Sequence, residues 1–131
     1  MNKKYNSSLN CIFNINYHII WSTKYRKKLL NKLIEIELKN ILKNKSKNLG
    51  IIIKAFEIMP DHVHIFVSCT PIHSIVNIVK QLKGYSSFYL RKKFTNLQKL
   101  KSLWTHSYFC ESIGCINEKT IIKYIKNQKF A

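Results

Sequence analysis

Acidic side chains are nearly missing from this chain: six Asp and Glu stand against 23 Lys and Arg in 131 residues, a formal net charge of +17 at pH 7. A field of that sign attracts polyanions and opposes close self-packing, so nucleic acid is the partner that the composition indicates. Arginine is scarce too, present only at Arg26 and Arg91. A codon bias toward Lys, Asn and Ile accounts for which cation is used, but it leaves the shortage of acids standing. Long apolar runs are absent: no stretch approaches the roughly 20 residues that cross a bilayer. No Lys-rich helix carries the wide Trp and Leu face of an interfacial anchor, so no membrane partner is expected. The first nine residues hold two lysines with no apolar core after them, unlike a signal peptide, and a cytoplasmic protein is expected. The four cysteines, Cys11, Cys69, Cys110 and Cys115, form no C-x-x-C pair. That spacing excludes a zinc knuckle and a thioredoxin-like motif and leaves reduced, mostly buried thiols.

What is present is one domain's worth of core, 46% hydrophobic and 12% aromatic, expected to span residues 1–131. Residues 10–23 alternate, with Phe13, Ile15, Tyr17 and Ile19 on one face, and predict a first strand. Apolar residues from Leu30 to Leu42 recur at helical spacing and predict a helix to about Lys47, ended by Gly50. Ile51–Ile58 predicts a second strand, turned at Pro60-Asp61 into a third. A second helix is expected from Pro71 to about Phe94, a polar loop at 95–101, a fourth strand over 103–110 and a turn at 111–116. Asn117 then caps a terminal helix, within a C-terminal segment assigned to residues 113–131. The order β-α-β-β-α-β is that of an α+β, ferredoxin-like or RRM-like domain: a four-stranded antiparallel sheet with both helices on one face and the other face open.

Two imidazoles stand one residue apart in the third strand, Met59-Pro60-Asp61-His62-Val63-His64-Ile65-Phe66. Strand side chains alternate, so His62, His64 and Phe66 share the open face while Val63, Ile65 and Val67 meet the helices. Converging imidazoles suit a metal, and two polar residues on an open strand face suit solvent equally well. Tyr124 and Gln128 on the last helix are one turn apart on one face, with Lys123 and Lys126 beside the tyrosine.

Taken together, Pro60-Asp61-His62-Val63-His64, Lys80-Gln81-Leu82-Lys83-Gly84, Leu103-Trp104 with Ser107-Tyr108-Phe109, Ile113-Gly114, and Thr120 to Gln128 resemble the IS200/IS605 single-tyrosine transposases, which belong to the HUH nucleases. The resemblance covers nearly the whole chain. It implies His62, His64 and Gln128 as ligands of a divalent metal, Mg2+ or Mn2+, and Tyr124 as the nucleophile. It also implies a prokaryotic, nucleoid-associated DNA transposase that cuts and rejoins single-stranded DNA through a 5′-phosphotyrosine. The further implications are recognition of hairpins at the element's ends and a homodimer whose active sites take histidines from one subunit and the tyrosine helix from the other.

The chemistry of these residue types agrees: two imidazoles and an amide oxygen leave coordination positions for phosphate oxygens. Lys24, Arg26, Lys27 and Lys28, with Lys80, Lys83, Arg91, Lys92 and Lys93, are the candidate DNA contacts, most of them to phosphate. Tyr25, Tyr85 and Tyr89 lie among them and suit either base stacking or packing. His18, His73 and His106 stay outside the expected metal site. Two other readings use the same features: a non-catalytic RRM-like nucleic-acid-binding protein, and a domesticated HUH nuclease.

Overall fold

The computed structural model describes residues 6–8 and 11–114. Two short strands, β1 (Asn6–Ser8) and β2 (Cys11–Phe13), pair as a small hairpin ahead of β3 (Ile15–Ser22). There follow α1 (Lys32–Leu49), β4 (Ile52–Met59), β5 (His62–Cys69), α2 (Ile75–Lys93), the one-turn α3 (Thr95–Gln98) and β6 (Phe109–Ile113). The main sheet is antiparallel in the order β4-β5-β3-β6, the ferredoxin-like arrangement expected from the element order. Both histidines of the motif therefore sit on an inner strand.

Register follows from alternation. Ile19 lies opposite Ile65 and Trp21 opposite Val63, so the branched residues of β3 and β5 form one continuous apolar face. Ile34, Leu38 and Leu42 of α1 and Ile78, Leu82 and Leu90 of α2 close over it. Asn31 caps α1 by accepting the Ile34 N–H at 3.0 Å, and Gly50 ends it in the left-handed conformation, φ 77°.

Four boundaries differ from the sequence-based expectation. The first strand breaks at Asn14 into β2 and β3. The second helix begins at Ile75 and not at Pro71, because His73 holds a turn: its Nδ1 accepts the Thr70 N–H at 3.0 Å and its Nε2 donates to the Leu49 carbonyl at 2.8 Å. Ser74 then caps α2 through the Asn77 N–H. Residues 95–98 are helical where a loop is expected. The fourth strand is Phe109–Ile113, not 103–110, since Leu103 and Trp104 turn into the core. Trp104 packs edge-on to Trp21 at 5.9 Å and donates to Ser86 Oγ at 3.0 Å. Strand pairing there is reduced to a single antiparallel bridge between Thr23 and Trp104, flanked by the Lys24 N–H to Leu103 carbonyl and Thr105 N–H to Ser22 carbonyl bonds. Ile113, the first residue of the segment assigned to the terminal helix, pairs with Asn16 as the end of β6. The terminal helix itself, with Tyr124 and Gln128, lies outside the described residues.

The second sheet face is only partly open. His18 and Phe66 are fully buried, and His64 is 2% exposed. His18 stacks on Phe66 with ring centroids 4.8 Å apart and meets the edge of Phe109, so rings occupy the centre of this face. Cys11 is exposed, Cys69 buried and Cys110 half-buried, all three as free thiols. Among the described residues no helix is long and apolar enough to cross a membrane.

Candidate active site

His62 and His64 project from β5 to the same side, their rings 5.0 Å apart at 67°. Each has its Nδ1 engaged. His62 Nδ1 lies 2.6 Å from Asp61 Oδ1, and Asp61 Oδ2 takes the Arg26 Nε–H at 3.2 Å. A carboxylate only accepts, so the imidazole proton sits on Nδ1 and the lone pair on Nε2. Desolvation alone would push the Asp61 carboxyl up. The hydrogen bonds from His62 and Arg26, with the charge of Arg26, outweigh it and hold Asp61 below the usual carboxylate range.

His64 Nδ1 lies 3.2 Å from His18 Nε2, and His18 Nδ1 lies 3.4 Å from Glu111 Oε1. His64 Nε2 is buried with no hydrogen-bond partner among the described residues. A buried polar atom left bare costs about 1–3 kcal/mol, so it calls for an explanation. A bare imidazole nitrogen beside a second one is the donor set of a divalent transition metal or of Mg2+ with added oxygen ligands, so the residues present fit such an ion. Burial, then the neighbouring His62 and His18, push the His64 pKa down to about 4. Burial likewise lowers His18, against the hydrogen bond and charge of Glu111. Neutral imidazole is the ligating form.

That shift also acts on stability. Between pH 6.5 and about 4 the unfolded chain binds a proton at His64 that the folded chain refuses. The metal-free protein is therefore expected to lose stability as the pH falls through this window. Urea midpoints at pH 7 and pH 4.5 check it, and His64→Gln is expected to flatten this part of the dependence.

The histidines line an open-sided cavity of about 510 Å³ with Ser22, Arg26, Ser107, Tyr108 and Phe109. Tyr25 and Arg26 hold φ of 59° and 53°, left-handed conformations that non-glycine residues adopt at a cost of about 1–3 kcal/mol each. The turn they make is the one from which Arg26 reaches Asp61.

The other candidate cations divide by what they touch. Lys83 Nζ donates to the carbonyls of Thr105 at 2.5 Å, His106 at 3.2 Å and Ser107 at 3.3 Å. It ties α2 to the loop that forms one wall of the cavity, and burial lowers its pKa. Lys83→Met is expected to cost about 1–3 kcal/mol in chemical denaturation, because three carbonyls lose a charged donor. Arg91 donates to the Leu100 carbonyl, and Lys93 pairs with Glu37 at 2.8 Å. Lys27, Lys28, Lys80 and Lys92 are exposed and Lys24 is half-buried. Tyr25 is exposed, while Tyr85 and Tyr89 pack on each other at 4.6 Å. His106 is exposed and His73 serves the turn described above.

The structure thus brings Arg26, His62 and His64 together and adds Asp61, His18 and Glu111, which were not among the candidate ligands or cations. His18 carried a signal: Ile15, Tyr17 and Ile19 define the core face, so His18 falls on the opposite one. What alternation could not supply was the register that sets His18 across from Phe66 and beside His64. Glu111 was hidden by its assignment to a turn. Among the described residues no cluster of three or more His, Cys, Asp and Glu side chains can hold a metal ion. His62 and His64 are two of the three expected ligands, and Gln128 lies outside the described residues.

Residues 11–128 match the family model for IS200-like transposases. The chain is 35% identical to the ISDra2 transposase TnpA of Deinococcus radiodurans over 123 residues, 89% of this chain and 86% of that protein. It is 28% identical to the transposase for insertion sequence element IS200 of Salmonella typhimurium, over 88% of this chain and 78% of that protein. The fold superposes on the crystal structure of a protein from Deinococcus radiodurans R1 assigned as a transposase, with TM-score 0.79 and 33% identity. That match covers 94% of this chain and 97% of the other. A REP-associated tyrosine transposase bound to a REP hairpin shares the fold at TM-score 0.58 and 14% identity, covering 93% and 74%.

Proposed function

The chain belongs to the IS200-like transposase family, and from that premise we propose that it cuts and rejoins single-stranded DNA at insertion-sequence ends through a covalent 5′-phosphotyrosine on Tyr124. His62, His64 and Gln128 hold a divalent ion, Mg2+ or Mn2+. The observation that carries this reading is the bare, buried Nε2 of His64 beside His62, whose own Nδ1 is engaged by Asp61. When bound, the ion polarises the scissile phosphate and offsets the charge that develops on its oxygens.

The chain's own residues do the rest. The Tyr124 oxygen attacks phosphorus, the bond from phosphorus to the 3′ oxygen breaks, and the departing 3′ oxygen takes up a proton from solvent to become a hydroxyl. The phenolic proton has to leave, since a phenol with pKa about 10 is a weak nucleophile at neutral pH; Lys123 and Lys126 favour the phenolate. The phosphodiester's energy stays in the phosphotyrosine, so a second 3′-hydroxyl can attack it and rejoin the strand without ATP. Arg26 lines the same cavity, and its guanidinium suits phosphate oxygens. Exposed Lys27, Lys28, Lys80 and Lys92 hold the DNA backbone at large. Hairpin ends are the proposed recognition element, in keeping with the REP hairpin on the structural relative. A homodimer with tyrosine helices exchanged in trans is the proposed assembly.

The test incubates the full chain with single-stranded DNA carrying the element's end. A denaturation-resistant protein–DNA adduct is expected with Mg2+ or Mn2+ and none with EDTA. An adduct that forms equally in EDTA contradicts the metal assignment.

A further inference from the structure

Resting on the metal site proposed above, we propose that His18, oriented by Glu111, is a positioning residue that fixes the tautomer of His64 so that its Nε2 lone pair faces the metal.

The geometry is specific. His18 and His64 lie in nearly parallel planes, 12° apart, with centroids 5.4 Å apart and facing nitrogens only 3.2 Å apart. Nitrogens that much closer than the centroids place the rings edge to edge, which is an in-plane hydrogen bond and not a face stack. Its polarity follows from the next contact. Glu111 Oε1 accepts from His18 Nδ1 at 3.4 Å, so the proton of a neutral His18 resides on Nδ1 and its Nε2 is an acceptor. His64 must then donate from Nδ1, which leaves the proton off Nε2, the atom with no partner among the described residues. The Phe66 ring stacked under His18 and the Phe109 edge against it hold the imidazole in that plane. β3 pairs with β5 and β6 on either side, so strand register alone brings Glu111, His18 and His64 into line.

The two histidines of the motif are thus braced differently. Asp61, a charged group adjacent in sequence, sets His62, whereas His64 is set across two strand pairings by a neutral ring. Outer partners of metal-bound histidines are worth 10–100-fold in metal affinity.

The test has two readouts on the full chain. Long-range 1H–15N correlation of the histidine rings at pH 7.5, without metal, is expected to show His64 protonated at Nδ1 and bare at Nε2. A proton on Nε2 overturns the proposal. Mn2+ titration followed by electron paramagnetic resonance is expected to show about 10–100-fold weaker binding in His18→Leu. His18→Gln, whose amide oxygen accepts near the position of Nε2, is expected to keep most of the affinity. Equal affinity in His18→Leu and the unsubstituted chain overturns the positioning role, as does a His18→Gln loss as large as that of His18→Leu. The tautomer is read in the unsubstituted chain, so a poorly folded variant does not blunt the test. An unsubstituted chain that binds no Mn2+ contradicts the metal site itself, whereas one that binds Mn2+ with the wrong His64 tautomer contradicts only the role of His18.

Discussion

Tyr124→Phe is expected to abolish covalent attachment to single-stranded DNA, lowering cleavage by about 10⁴–10⁶-fold, while binding of the same DNA stays within about threefold. The change removes one oxygen and keeps the ring, so only the proposed nucleophile is lost. Denaturing gels read the adduct, and mobility shift reads binding. The size of the gap separates this account from a non-catalytic nucleic-acid-binding domain on the same fold, for which the two readouts move together or not at all. Retained binding follows because the +17 charge, and with it the phosphate contacts, is untouched.

The second large effect is expected at the histidines. His62→Ala removes a proposed ligand and is expected to weaken Mn2+ binding by at least the roughly 100-fold that marks the upper range for outer partners, with adduct formation lost in parallel. His62 is the cleaner of the pair to change. Its side chain is 14% exposed and lines the cavity, so the fold tolerates its loss. His64 is 2% exposed and packed beside His18, and truncation there combines loss of a proposed ligand with a cavity at a buried position. Isothermal titration with Mn2+, alongside thermal denaturation, separates the two contributions: His62→Ala is expected to lose metal at an almost unchanged Tm, His64→Ala to lose both.

The sheet was legible in the sequence because alternation in β3 and β5 is strict: Ile19, Trp21, Val63, Ile65 and Val67 face the helices as their parity demands. Alternation misled at 103–108, where aromatic and polar residues intersperse without forming a strand. Trp104 enters the core and Lys83 gathers the following carbonyls, and neither depends on period. Lys83, by composition a candidate phosphate contact, illustrates the general limit: charge counts cations but does not show which ones the protein itself engages. The histidine pair was legible as a motif, since two residues on one strand share a face by local geometry alone. His18 and Glu111 were not, because their part in the site depends on the β5-β3-β6 register, a long-range property with no local signature. The buried centre of the second face has a similar origin. Parity places His64 and Phe66 on that side correctly, and only tertiary packing decides that its centre is filled.

Whether a metal-assisted tyrosine takes the DNA onto itself is decided by mapping the adduct. The full chain is incubated with single-stranded DNA bearing the element's end and Mn2+, the complex is digested with protease and nuclease, and the modified peptide is sequenced by mass spectrometry. A 5′-phosphonucleotide on Tyr124 is expected, absent when EDTA is added or when His62 is replaced by Ala. A modification on any other residue, or no covalent product from the correct end sequence, contradicts the assignment of Tyr124.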